Sequence, residues 1–275
     1  MQQAIAILDS GVGGLTVAKE VMRQLPQERV IYFGDTERAP YGPRPAEEVV
    51  AFTEQIVSLL LEYHPKMIVI ACNTATAAAI DRIRAMAPVP VVGVIQPGAR
   101  AAVKNTRTGV IGVIGTEGTI RSGAYEKALK ELSPQVRVVS LACPQLVPLV
   151  EQDMFGTGGC REIVRQSLSP LSGQPLDCLI LGCTHYPFLQ KDISAVMGDH
   201  VELISSAEET AREISAILGH RGQLAKTSAR PEHRFICSGD PQVFRTIAQK
   251  WLGQPVTVTP MPWKKEHGIA AMIRE

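Results

Sequence analysis

Ile68-Val69-Ile70-Ala71-Cys72-Asn73-Thr74 is the stretch from which the fold can be read. Its apolar residues run without the polar alternation of a half-exposed strand, so the strand is buried on both faces, as in a parallel sheet covered by helices. A small residue, a thiol and two polar residues follow, and Ala75–Met86 continues as a helical segment. The same layout returns in Leu179-Ile180-Leu181-Gly182-Cys183-Thr184-His185. The two stretches are separated by about one domain length. Two copies of strand, small residue, cysteine and helix entry point to a shared role for the cysteines.

Working outward, short β-branched runs alternate with longer amphipathic ones. Strands are expected at Ala4–Leu8, Val30–Phe33, Met67–Ala71, Val89–Val94, Gly109–Ile114, Val136–Leu141, Leu176–Leu181, Val201–Ile204, Arg234–Cys237 and Val256–Val258. Helices are expected at Leu15–Leu25, Ala46–Tyr63, Ala75–Met86, Thr119–Leu132, Glu208–Leu218 and Pro241–Trp251. Asp240-Pro241 reads as an N-cap followed by proline at the first helical position, and Ser205 or Ser206 precedes an acidic first turn. Roughly ten strands exceed what one compact open sheet usually holds, so two α/β domains are expected. The best boundary is Gly93-Val94-Ile95-Gln96-Pro97-Gly98, read as turn residues before a helix resumes at Ala99–Val103. Arg221–Pro231 is the most polar stretch and reads as a second crossing or a surface loop.

Composition narrows the class. Of 275 residues, 45% are hydrophobic and 20% charged, a globular balance. With 28 Lys plus Arg against 27 Asp plus Glu, the net charge of +1 offers no basic excess for nucleic acid. No apolar run reaches the ~18 residues of a membrane span. Met1-Gln2-Gln3 lacks a basic leader region and the apolar run stops at Asp9, so a cytoplasmic protein is expected. The six cysteines form no CxxC pair and no zinc-ligand spacing, so neither a disulfide framework nor a structural metal is expected.

In parallel α/β sheets ligands bind beyond the carboxyl ends of the strands, where Cys72 and Cys183 fall. The positive end of a helix favours thiolate over thiol, making each a candidate proton-transfer group or nucleophile. Cys143, Cys160, Cys178 and Cys237 read as packing. Asp9-Ser10-Gly11-Val12-Gly13-Gly14 leaves the first strand as a tight turn with amides facing a ligand. Thr16 breaks a dinucleotide fingerprint there. An acid beside amide donors suits a zwitterion; a simple helix cap is the bland reading. Gly34–Pro45 forms an ordered loop able to cover a site, with Tyr41 as a polar-tipped wall. His185, two residues past Cys183, is the most suggestive histidine, within reach as acid, base or orienter. His64, His200, His220, His233 and His267 read as surface residues, and composition alone gives Glu151 no role.

Three chemistries compete for two such thiols. A disulfide oxidoreductase would bring its pair as CxxC. A thiol hydrolase would use Cys183 and His185 and leave Cys72 idle. Proton transfer at a carbon stereocentre needs a base on one face and an acid on the other, and uses every feature. No nicotinamide, pyridoxal-phosphate or metal signature is readable, so no cofactor is expected.

The blocks Leu8–Leu15, Gly34-Asp35-Thr36 with Pro40-Tyr41-Gly42, Ala71–Ala75, Gly115–Thr119, Pro148–Glu151 and Gly182–Pro187, in this order, closely resemble the glutamate racemases of the cofactor-independent Asp/Glu racemase family. The resemblance covers nearly the whole chain. It implies two similar α/β domains with mostly parallel sheets flanked by helices and an active site in the cleft between them. The first domain would take residues 1–95 plus a returning segment 210–275, and the second 96–209. It implies interconversion of L- and D-glutamate for peptidoglycan in a bacterial cytoplasm, by a homodimer. Cys72 and Cys183 would be the acid/base thiols, assisted by Asp9 and His185 respectively, with Glu151 as a further helper. Substrate contacts would come from Asp9, Ser10, Tyr41, Gly42, Asn73, Thr74, Thr184 and His185. Thr184, with donors near Thr116–Thr119, is expected to hold the side-chain carboxylate. Aspartate racemase and an amino-acid-binding module that has lost catalysis are the alternatives.

Overall fold

The computed structural model describes residues 3–227 and 229–263. The strands among them are β1 (Ile5–Asp9), β2 (Val30–Gly34), β3 (Met67–Ile70), β4 (Val91–Gly93), β5 (Val110–Gly115), β6 (Arg137–Ala142), β7 (Cys178–Gly182), β8 (Glu202–Ser205), β9 (Arg234–Cys237) and β10 (Val258–Pro260). The helices are α1 (Leu15–Gln24), α2 (Ala46–Leu61), α3 (Asn73–Met86), α4 (Ile95–Asn105), α5 (Glu117–Arg121), α6 (Ala124–Leu132), α7 (Leu146–Glu151), α8 (Gly158–Leu168), α9 (Gln190–Met197), α10 (Ser206–His220) and α11 (Pro241–Leu252).

The strands form two parallel sheets, one ordered β10-β9-β2-β1-β3-β4 and the other β6-β5-β7-β8. The second repeats the β2-β1-β3-β4 portion of the first strand for strand. The echo between the two cysteine stretches is therefore topological: β3 and β7 are equivalent strands. Both faces of each sheet are covered, which explains the unbroken apolar runs. In β1, Ile5 and Ile7 enter one core while Ala6 and Leu8 enter another, and in β5 Ile114 and Val113 divide in the same way. The core containing Ile5 and Ile7 continues into Leu179 and Leu181 of the other sheet, so apolar burial ties the halves together. Helix α10 lies at the seam, against α1 on one side and α4 on the other.

All ten expected strands form, with ends displaced by a residue or two. Three helical expectations change. The segment Thr119–Leu132 is broken between α5 and α6, where Gly123 adopts φ 65°. Helix α4 begins at Ile95, so Gln96-Pro97-Gly98 is helical rather than a turn. Proline is tolerated there because first-turn amides have no intrahelical acceptor to lose. Ser205 occupies the N-cap position of α10 without a side-chain capping bond. Asp240 caps α11 as expected, accepting from Gln242 N at 2.7 Å and Val243 N at 3.2 Å. Helices α7, α8 and α9 lie outside the expected segments; α7 and α9 are short, and α8 runs 11 residues. In the polar stretch the described residues 221–227 contain no further helix or strand and lie against the first sheet's half: Lys66 Nζ donates to Gln223 O at 2.8 Å, and Ala225 N to Glu28 Oε1 at 2.7 Å.

Candidate active site

Both sheets switch chain direction between equivalent neighbours, β1/β3 and β5/β7, and at such a point the outgoing loops diverge and leave a crevice. The residues delivered there are Asp9 from β1, Cys72 after β3, Thr116 after β5 and Cys183 after β7. The two crevices face one another across the seam.

Cys72 is the N-cap of α3, its Sγ accepting from Ala75 N at 3.4 Å, and is 6% exposed. The helix was expected to favour its thiolate. Burial decides otherwise: desolvation, with Asp9 and Cys183 adding negative charge, pushes the thiol up to about 12 against the Ala75 amide and the Ser10 hydroxyl. Cys72 therefore rests as a thiol. Cys183 is equally buried, with Sγ 3.8 Å from His185 Nδ1. The other ring nitrogen, Nε2, lies 3.3 Å from Glu151 Oε1, an ion-pair distance without hydrogen-bond alignment. Burial works against charging this ring, but Cys183 and Glu151 outweigh it and bring the imidazole up to about 10. Trp251 meets the ring edgewise at 6.1 Å.

Asp9 is fully buried, and burial raises its carboxyl above the usual range despite the amides of Gly14 and Gly11. Its Oδ2 accepts from Gly11 N at 2.9 Å, while Oδ1 has no hydrogen-bond partner. Within the glycine turn the Gly11 amide is spent on Asp9 rather than facing a ligand. Its glycines serve close approach instead. A Cβ at Gly13 would stand 2.3 Å from Thr184 Oγ1 and 2.6 Å from His185, and one at Gly14 would meet Asp9 Cβ at 2.5 Å. Gly14 occupies the N-cap position of α1 with no side-chain cap, and Thr16 Oγ1 donates to Thr184 O at 3.2 Å. Asn73, 2% exposed, accepts at Oδ1 from Tyr125 OH at 2.7 Å, and its Nδ2 has no partner.

Three hydroxyls bridge the halves: Thr74 Oγ1 is 2.9 Å from Thr116 Oγ1 and 3.2 Å from Thr119 Oγ1. Above them Gly118 N donates to Gly42 O at 2.9 Å, so the 34–45 loop of the first sheet docks on α5 of the second. Gly42 is thus at the cleft, but Tyr41 departs from its expected role. Its buried hydroxyl donates to Asp35, so it anchors the loop and presents no polar tip. Asp35 also accepts from Arg38 Nε, Ser238 Oγ and Trp263 Nε1, each at 2.7 Å. A cavity of about 360 Å³ lies between Pro40, Gly42, Thr116, Pro144, Val147 and Glu151, and neither thiol lines it.

Of the expected site residues, Asp9, Cys72, Asn73, Thr74, Thr184 and His185 are buried and gathered at these strand ends, with Ser10 and Glu151 more open. Asp35, Tyr125, Trp251 and Trp263 were missed as contributors. Asp35 carried a signal, lying at a strand exit; the other three lie far along the chain. Cys143, Cys160, Cys178 and Cys237 are buried thiols outside this set, consistent with packing. His233 is not a surface residue: its Nδ1 accepts from Val30 N at 3.3 Å, and burial lowers its pKa. His267 lies outside the described residues.

Residues 14–214 match the Asp/Glu/Hydantoin racemase family. A glutamate racemase of Bacillus cereus is 54% identical over 256 residues, covering 93% of this chain and 95% of the relative. The crystal structure of a glutamate racemase isoform from Bacillus anthracis superposes with a TM-score of 0.92 at 50% identity, over 94% of this chain and 97% of that one. A glutamate racemase from Francisella tularensis, solved in complex with D-glutamate, gives 0.89 at 32% identity over 94% and 97%.

Proposed function

The chain belongs to the Asp/Glu/Hydantoin racemase family, and from that premise we propose that it racemises glutamate by proton transfer between Cys72 and Cys183, without a cofactor. The observation that carries this reading is the placement of the two thiols, on equivalent strand exits of two sheets with the same topology. Inversion at the α-carbon needs a proton removed from one face and another delivered to the opposite face. Cys183, beside the His185 imidazolium, takes the proton of L-glutamate as a thiolate; Cys72, resting as a thiol, delivers its own to the other face. The product is D-glutamate, with Cys183 now a thiol and Cys72 a thiolate, and the reverse reaction restores the first state. Asp9 assists Cys72, and Glu151 holds His185.

The unpartnered atoms support a zwitterionic amino acid. Asp9 Oδ1 is an acceptor for the ammonium and Asn73 Nδ2 a donor for the α-carboxylate, and a buried polar group left without a partner is costly. Thr184 and the hydroxyls of Thr74, Thr116 and Thr119 hold the side-chain carboxylate, with Ser10 and Gly42 completing the wall and Tyr41 anchoring the loop behind it through Asp35. The two walls are the half built on the β10-β9-β2-β1-β3-β4 sheet and the half built on the β6-β5-β7-β8 sheet. The product serves peptidoglycan synthesis, and the protein acts as a cytoplasmic homodimer. Among the described residues no helix is long and apolar enough to cross a membrane.

Racemisation assays with L-glutamate and L-aspartate test the reading. Turnover of glutamate well above aspartate is expected, because the shorter acid leaves buried donors unpaired. Comparable rates would remove the specificity argument, and no turnover of either would leave only a binding module.

A further inference from the structure

Tyr125 belongs to the second sheet's half of the molecule, on α6, yet it touches both cysteine turns. It is 2% exposed. A Cβ on Gly182, the residue before Cys183, would stand 3.0 Å from its ring, so the absence of a side chain there lets the ring lie against the strand end. Its hydroxyl donates to Asn73 Oδ1 at 2.7 Å, on the residue after Cys72. Ser206 lies beside the same phenol: a Cβ on Gly98 would stand 3.5 Å from Ser206 Cβ and 3.6 Å from the Tyr125 hydroxyl.

Direction matters here because an amide has two unlike ends. With Oδ1 taken by Tyr125, the Asn73 side chain has its donor end free, and Nδ2 is buried without a partner. Were the amide reversed, a carbonyl would face the position assigned to a carboxylate and repel it.

Resting on the proposed glutamate site, we infer that Tyr125 is a positioning residue: across the domain seam it orients the Asn73 amide, with Ser206 behind it, so that Nδ2 is offered to the α-carboxylate of the substrate. The effect belongs to binding rather than to proton transfer, since the Tyr125 hydroxyl is engaged by Asn73.

The test is steady-state kinetics of Tyr125→Phe, which keeps the ring and removes the hydroxyl. KM for both L- and D-glutamate should rise about tenfold with kcat within about twofold. Ser206→Ala should move KM the same way by a smaller factor. In an Asn73→Ala background, Tyr125→Phe should add nothing further to KM. An unchanged KM in Tyr125→Phe, a fall confined to kcat, or additive effects with Asn73→Ala would each overturn the assignment. Failure of the wild-type protein to turn over L-glutamate would instead overturn the functional reading. The Tyr125 assignment would then be judged by NMR of the Asn73 side-chain amide, whose signals should shift in Tyr125→Phe; unmoved signals would refute it.

Discussion

Cys183 Sγ lies 3.8 Å from His185 Nδ1, and the ring's far nitrogen faces Glu151. The two cysteines are thus held in different electrostatic surroundings although their strands are equivalent. Cys183 stands beside a cation, whereas Cys72 stands beside the buried carboxyl of Asp9. A racemase has two half-reactions of opposite hand, and the proposed mechanism assigns one of these unlike cysteines to each.

Replacing either thiol tests that division. Cys72→Ser or Cys183→Ser substitutes a hydroxyl too weakly acidic to be anionic near neutral pH, so racemisation should fall about 10²- to 10⁴-fold. The fold should persist, because the volume change is small. A β-chloroglutamate, which loses chloride after one deprotonation, separates the faces. Cys72→Ser should still eliminate from the L isomer and Cys183→Ser from the D isomer, followed as chloride release. Equal processing of both isomers by both variants would refute opposed thiols.

The raised pKa of His185 has a consequence for stability. A group whose folded pKa lies above its unfolded value of about 6.5 stabilises the fold fully below that value. The contribution fades as pH climbs to about 10, where the folded imidazolium itself deprotonates. Urea unfolding of wild type against His185→Gln should therefore show a difference that is largest below about pH 6.5 and declines through this window. A difference that stays flat, or grows with pH, would contradict the ion-paired imidazolium.

Tyr41→Phe separates an anchoring hydroxyl from a substrate contact. Asp35 would lose one of four side-chain donors, costing about 1–2 kcal/mol of stability in chemical denaturation. KM for glutamate should change less than about threefold. A large KM increase with unchanged stability would return Tyr41 to the substrate wall.

Gly13→Ala should damage the site out of proportion to its size. The added methyl would collide with Thr184 and His185, displacing both and lowering kcat/KM by about 10²-fold. Gly159→Ala, in α8 with open space around it, should stabilise by about 0.5–1 kcal/mol and leave turnover unchanged. Equal effects of the two substitutions on activity would remove the close-approach argument.

The sequence by itself determined the local pattern: ten strands, most of the longer helices, the parallel sheets and the cysteines at equivalent exits. Those features follow from side-chain periodicity and turn chemistry, which act over a few residues. Ser10, Thr74 and Glu151 could be nominated only because ordered blocks resembled a known family. Contacts between distant segments were decided by tertiary structure alone. Tyr125 reaching Asn73, Asp35 gathering Tyr41 and Trp263, and Glu151 meeting His185 all depend on how the two sheets are set against each other. The state of Cys72 was decided at the same level. Its helix terminus was legible in the sequence, but the burial that overrides it arises only when Cys72 packs into the core it shares with Leu8, Tyr41 and Ile70, residues brought together by the fold.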